Sequence, residues 1–185
     1  MGRWDRTFGP WGSRAAVMLL VLAVSGCGLL GGSTSLRQDA PHVITVTSPV
    51  FTGGVIPRQF SCNGAESPPI YWSGEPPGTK SIALVVDDSD APITPYVYWV
   101  VFDINPATSD IQAGQLPPGA RQADNSRGEA RFDPPCPRAG SHRYRFTVYA
   151  LDAMLGQVNG ANLKATWLAI AQHAIARGRL TGTVR

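Results

Sequence analysis

The sequence predicts a mainly β protein: an antiparallel β-sandwich of Greek-key type with one C-terminal helix. Three observations lead there. Runs of β-branched and aromatic residues recur at 82–88 (IALVVDD), 96–104 (YVYWVVFDI) and 143–152 (RYRFTVYALD). The connections between them are rich in Pro and Gly and hold no amphipathic helix of ordinary length, which disfavours parallel βαβ units. The 185 residues are 43% hydrophobic and 16% charged, enough for one sizeable core and not for two.

The N-terminus reads as an export signal over residues 1–26. Arg3, Arg6 and Arg14 supply positive charge ahead of an apolar run at 15–24 (AAVMLLVLAV). That run is too short for a membrane-spanning helix but suits a signal peptide. It ends in Val24-Ser25-Gly26-Cys27, which resembles a bacterial lipobox and implies cleavage before Cys27 and lipidation of its thiol, with fatty acylation of its amine in many bacteria. The alternatives are an ordinary secretory signal or a buried helix. Residues 27–41 would then be a lipidated Cys and a flexible tether, and 42–185 the folded domain. Removing Arg3, Arg6, Arg14 and Asp5 takes the formal charge from +3 to +1, which leaves no electrostatic case for nucleic acid.

With Cys27 lipidated, Cys62 and Cys136 remain as an even pair in an oxidising compartment, which predicts a disulfide between them. Two buried free thiols are the alternative. A zinc site is disfavoured because no CxxC or nearby His pair is present. A first strand is expected at 42–46 (HVITV), and the segments 67–81, 104–120 and 132–142 as connections. A helix begins with Asn162 as its cap, carries Leu163, Trp167, Ile170, Ala171, Ala174 and Ile175 at helical spacing, and is expected to stop at Gly178. Residues 180–184 (LTGTV) then form a short last strand.

Three clusters could carry chemistry. In Asp87-Asp88-Ser89-Asp90-Ala91-Pro92, extended geometry points Asp88 and Asp90 one way and Asp87 the other. Two carboxylates on one face need a cation, a shared proton or loop N–H donors, and an Asp-rich turn is the plainer reading. A calcium loop is weaker, because the Gly and Glu that such a loop requires are missing. In the second cluster, His142, Tyr144, Phe146 and Val148 alternate onto one strand face, and Arg143 and Arg145 onto the other. His142 and Tyr144 are either core side chains or the polar end of a pocket. The third cluster, Tyr98-Trp99, should place one ring on each face.

Together these segments resemble a known family. SPPIYW (67–72), GTKSIALVVDDSDAP (78–92), YWVVFDI (98–104), PPCP (134–137) and HRYRFTVYALD (142–152) are similar to the phosphatidylethanolamine-binding protein family, in its bacterial Raf-kinase-inhibitor-like branch. The resemblance runs over residues 43–185 and implies a β-sandwich with a small cavity for an anion or phosphorylated head group. Carried over, the family's cavity motifs fall on Asp88, Asp90 and Pro92, on Tyr98, on Pro134-Pro135, and on His142 and Tyr144. Three positions depart from the pattern. Tyr98 stands where the family has a His, Ser89 where it has the middle Pro of Asp-Pro-Asp, and Pro134 where it has a Gly. These exchange a chargeable ring for a neutral phenol, free the backbone at Ser89 and remove an N–H donor at Pro134.

The function this implies is a ligand-binding or modulatory lipoprotein on the extracytoplasmic face of the cell membrane, without a cofactor. Its ligand is expected to be a small anion or phosphorylated head group. The alternative is an interaction module, a protease- or kinase-type inhibitor or an envelope adaptor, with the Pro-rich loops as contact surface. An enzyme is disfavoured, because no G-x-S-x-G, P-loop or H-E-x-x-H motif is present.

Overall fold

The computed structural model describes residues 40–91 and 94–185. The expectations for the export signal, for Cys27 and for Pro92 lie outside those residues. Eight strands and one helix follow in the order β1 (Thr45–Thr47), β2 (Ile70–Ser73), β3 (Ser81–Asp88), β4 (Tyr96–Ile104), β5 (Asp110–Ile111), β6 (Arg121–Gln122), β7 (His142–Leu151), α1 (Leu163–His173) and β8 (Ala174–Val184). All strand pairs are antiparallel. The large sheet runs β6-β4-β3-β7-β8 and the small one β1-β2-β5.

The middle strand explains the layering. Every residue of β3 is buried. Ile82, Leu84 and Val86 join Ile70, Trp72, Phe146 and Val148 in the core between the two sheets. Ala83 and Val85 face the other way, into a second core with Val100, Tyr149 and Ile170 of α1. A strand covered on both faces must be apolar at nearly every position, which is why this one reads as an unbroken run. A one-residue slip would exchange the two cores, so the register is strongly specified.

Two bulges interrupt the β3–β4 pairing. Val86 stands opposite Trp99 and Asp87 opposite Val97, so Tyr98 is the extra residue. A bulge turns two successive side chains to the same side. Trp99 is therefore in the inter-sheet core with Tyr98 packed against it, rather than one ring on each face as strict alternation predicts. The other irregularity lies between Ile82 and Leu84. There Asp103 has φ 56°, and its buried carboxylate accepts Leu155 N at 2.6 Å and Gly156 N at 3.0 Å.

The C-terminal region departs from expectation at one point. Asn162 caps α1 by accepting Ala165 N at 3.2 Å, but the helix ends at His173 and not at Gly178. From Ala174 the chain pairs with β7 along its whole length. Gly178 sits inside β8 for steric reasons: a Cβ there would lie 2.0 Å from the carbonyl oxygen of Ile44. The expected first strand is also shifted. Val43 N and Ile44 N donate to Arg177 O, and regular pairing with β2 begins only at Thr45. β2 and β5 lie in segments expected to be connections, and β6 directly follows the second of them. β2 alternates buried and exposed residues but is only four long and follows two prolines.

Cys62 and Cys136 form a disulfide with their Cα atoms 4.5 Å apart. Beside it Cys62 N donates to Pro135 O at 3.0 Å. The bridge and this bond together fasten the Pro-rich segment 134–137 to the loop that follows the 3₁₀ turn Arg58–Phe60.

Two stability measurements follow. Gly178→Ala should cost about 1–3 kcal/mol in denaturant unfolding, since the obstacle is backbone; an unchanged midpoint would contradict that close approach. Replacing Cys62 and Cys136 together by Ala should cost about 4 kcal/mol on loop-closure entropy, and no loss would mean the bridge constrains little.

Candidate functional site

Three strand ends meet at one edge of the large sheet. β3 closes with Asp88, which stands opposite Tyr96 of β4 and Tyr144 of β7. His142 precedes Tyr144 by two residues and shares its face. His142 Nδ1 lies 2.7 Å from Asp88 Oδ2; the Asp88 side chain is 5% exposed and that of His142 27%. A carboxylate only accepts, so Nδ1 carries the hydrogen and Nε2 is left for other partners. Asp88 Oδ1 accepts Asp90 N at 2.8 Å.

Four rings line up beside this pair. Tyr96 and Tyr98 have centroids 4.7 Å apart, Tyr98 and Tyr144 5.3 Å, and Tyr144 and His142 6.5 Å. Burial, and then the charge of Asp88, pushes the Tyr98 phenol up to about 12. Burial and the neighbouring Tyr98 push Tyr144 up as well. Both phenols stay protonated at any ordinary pH and act as neutral donors. The Tyr144 hydroxyl is buried with no hydrogen-bond partner among the described residues.

Above Asp88 and His142 opens a cavity of ≈ 670 Å³. Asp88, Asp90, Tyr98 and His142, read as candidates from the sequence, all line it. Tyr144 does not reach the wall and lies fully buried beneath Tyr98. Pro135 is buried behind the wall, which Pro134, Cys136 and Pro137 form instead. Asp90 lines the cavity, but its carboxylate does not join Asp88 on His142, because the chain turns after β3. It accepts Arg143 N at 2.8 Å and is clamped by the Arg143 guanidinium, Nε at 3.0 Å and Nη2 at 2.5 Å. These bonds hold the Asp90 carboxyl down at about 2. Asp87 points to the opposite face, where Arg145 binds it through both Nε and Nη2.

The far wall holds residues that the sequence reading missed. The bulge at Tyr98 leaves its carbonyl open to accept Asp133 N at 3.0 Å, which docks the loop 123–133 along β4. Buried Asn125 shapes that loop by accepting Arg127 N and Glu129 N and donating to Arg131 O. Asp133 in turn accepts Arg127 Nε at 2.9 Å and the Tyr96 hydroxyl at 3.4 Å. Arg127, Asp133 and Tyr96 all line the cavity, as does Arg138 from the segment after the disulfide. The Asn125-Ser126-Arg127-Gly128 turn pattern and an Asp ahead of Pro134-Pro135 were the available signals.

The charges sort themselves. Each carboxylate of the wall already has a partner: Asp88 has the His142 ring, Asp90 has the Arg143 guanidinium and Asp133 that of Arg127. Arg138 is exposed and makes no ion pair among the described residues. That leaves the Tyr98 phenol and Arg138 as donors on the wall that no wall carboxylate engages. No group of three metal-ligating side chains occurs among the described residues.

Comparison with known proteins places this geometry. The family model described as phosphatidylethanolamine-binding protein matches residues 46–185. The chain is 40% identical over 189 residues to the Mycobacterium tuberculosis protein named "Putative lipoprotein LppC", covering 91% of this chain and 92% of that one. It is 38% identical over 138 residues to a UPF0098 protein of Methanothermobacter thermautotrophicus, covering 71% of this chain and 91% of that one. Among solved structures, a phosphatidylethanolamine-binding protein homolog of Chlamydia trachomatis superposes with a TM-score of 0.71 at 34% identity, covering 78% of this chain and 98% of its own. YbcL of E. coli, described as a new member of the mammalian PEBP family, gives 0.71 at 27% identity, covering 77% and 98%. The family match over residues 46–185 and the identity to these relatives lead to one conclusion: the chain belongs to the phosphatidylethanolamine-binding protein family.

Proposed function

We propose that this chain is a membrane-anchored binding protein that takes a phosphorylated head group in the cavity over Asp88 and His142. The observation that carries the reading is the Asp88–His142 pair, which fixes the imidazole on a wall that also holds Arg138, a cation with no ion pair among the described residues. A phosphate there would accept from the neutral Tyr98 phenol and from Arg138, and from His142 Nε2 once the ring carries a second proton. An ethanolamine phosphate also carries an ammonium, which would share Asp88 with His142 or Asp133 with Arg127. The phenol of Tyr98 supports binding without the charge an imidazole would add, so capture depends more heavily on Arg138.

The cysteine of the described wall, Cys136, is held in the disulfide and is not available as a nucleophile. Anchoring rests on two supports: the Val24-Ser25-Gly26-Cys27 sequence and a lipoprotein name on a relative matching 91% of the chain. Lipid on Cys27 would hold the cavity close to a surface rich in phosphorylated head groups, on the extracytoplasmic side if the export signal acts.

Three tests are direct. Calorimetric titration of the full chain with phosphoethanolamine should show saturable binding, weakened about tenfold by His142→Ala or Arg138→Ala and about fivefold by Tyr98→Phe. Absence of heat on a folded chain would refute the cavity's role. Metabolic labelling with an alkyne fatty acid should tag the chain and be lost in Cys27→Ser; labelling that survives would remove the anchor. For the Asp90 clamp, the carboxyl is lower in the folded than in the unfolded state, so its contribution is present above about pH 4 and lost as pH falls toward 2. Asp90→Asn should accordingly lower unfolding stability above pH 4 and match the parent near pH 2; an equal deficit at both would contradict the clamp.

A further inference from the structure

The opposite face of the large sheet has its own cavity. Between α1 and the outer faces of β7 and β8 lies a groove of ≈ 810 Å³. The β7–β8 register sets Arg179 opposite Thr147 and Arg177 opposite Tyr149, with Arg145 two residues before Thr147 on the same face. Lys164 reaches the same groove from the first turn of α1, which carries no acidic residue. Among the described residues its lining holds four cationic side chains, of which Arg177 has further partners, and one carboxylate, Asp87, which the guanidinium of Arg145 already binds through two nitrogens.

Such crowding of like charges is costly unless something answers it. Partial burial, and then the neighbouring Arg145, pulls the Arg179 guanidinium below its ordinary value. His42 is lowered too, by burial and by the charges of Arg177 and Arg179. Arg179 is exposed, and its Nε donates to Thr147 Oγ1 at 3.1 Å. The other wall is apolar: half-buried Leu163, Trp167 and Leu168 of α1 face the groove, with Tyr149 buried at its floor. Cations on one side and an indole with two leucines on the other form a surface with two chemistries.

We infer that this groove binds an amphipathic anion: a phosphate or carboxylate head on the arginine side, carried by an apolar body that lies against Trp167. The site is independent of the His142 cavity, because Asp87 and Asp88 point to opposite faces of β3 and a ligand in one does not touch the charged groups of the other. An inorganic anion alone would meet the exposed Arg179 guanidinium and Lys164 but leave the leucines and the indole facing water. A neutral aromatic would do the reverse. Only a molecule with both parts satisfies the whole lining.

The test uses the full chain, 15N-labelled at tryptophan, with the Trp167 indole N–H as reporter of the groove and the buried Trp99 indole as reporter of the fold. Addition of 1-naphthyl phosphate should move the Trp167 resonance saturably. Neither 1-naphthol nor inorganic phosphate should do so at the same concentration. Arg179→Gln, at an exposed position, should weaken the effect about tenfold with the Trp99 resonance unmoved. His142→Ala should leave it intact, which separates this site from the cavity on the other face. A Trp167 resonance that ignores 1-naphthyl phosphate, responds equally to 1-naphthol, or responds identically in Arg179→Gln overturns the inference.

Discussion

The burial of β3 on both faces is the constraint from which the rest follows. Its apolar residues feed two cores, one between the sheets and one under α1. At its end the strand carries two adjacent carboxylates, and alternation sends one to each side. Neither Asp87 nor Asp88 is more than slightly exposed, and a buried charge without a partner is expensive. Each therefore has its own partner on β7, the Arg145 guanidinium for Asp87 and the His142 ring for Asp88. The Asp pair at the strand end is thus the origin of two separate polar sites, one on each face of the same sheet.

The bulge at Tyr98 converts the Asp88 side into a cavity. It turns a second aromatic ring toward the inter-sheet face, and it frees a carbonyl on which the Asp133 loop docks. The disulfide fastens the opposite rim, where the Pro-rich segment passes. Rigid strands thus present Asp88, His142 and Tyr98, while loops pinned at two points bring Arg127, Asp133 and Arg138 across from them. Positioning of this kind suits recognition, since little of the wall must be ordered when a ligand arrives.

Much of this was legible in the chain. Residues 82–88, 96–104 and 143–152 announced the three long strands through β-branched and aromatic content, and Asn162 announced the helix start. Alternation correctly separated Asp87 from Asp88 and His142 from Arg143. It failed at Tyr98-Trp99, because a bulge is a property of the pairing with β3 and leaves no mark in the β4 sequence alone. It failed again at Asp90, where the chain had already turned. Gly178 looked like a helix stop because a glycine needed for close backbone approach and one needed for a cap are identical on paper. Arg127, Asp133 and Arg138 went unnoticed because their place in the wall depends on how two loops fold back, which no local pattern encodes.

The measurement that bears most directly on this account is the 15N spectrum of the His142 imidazole in the full chain, before and after phosphoethanolamine. The expected result is Nδ1 protonated and hydrogen-bonded in the free protein, as the 2.7 Å contact with Asp88 requires, and an Nε2 resonance that shifts when the head group is added. A free protein with Nδ1 unprotonated would contradict the pairing. An Nε2 resonance that does not move on saturation would contradict the cavity as the binding site.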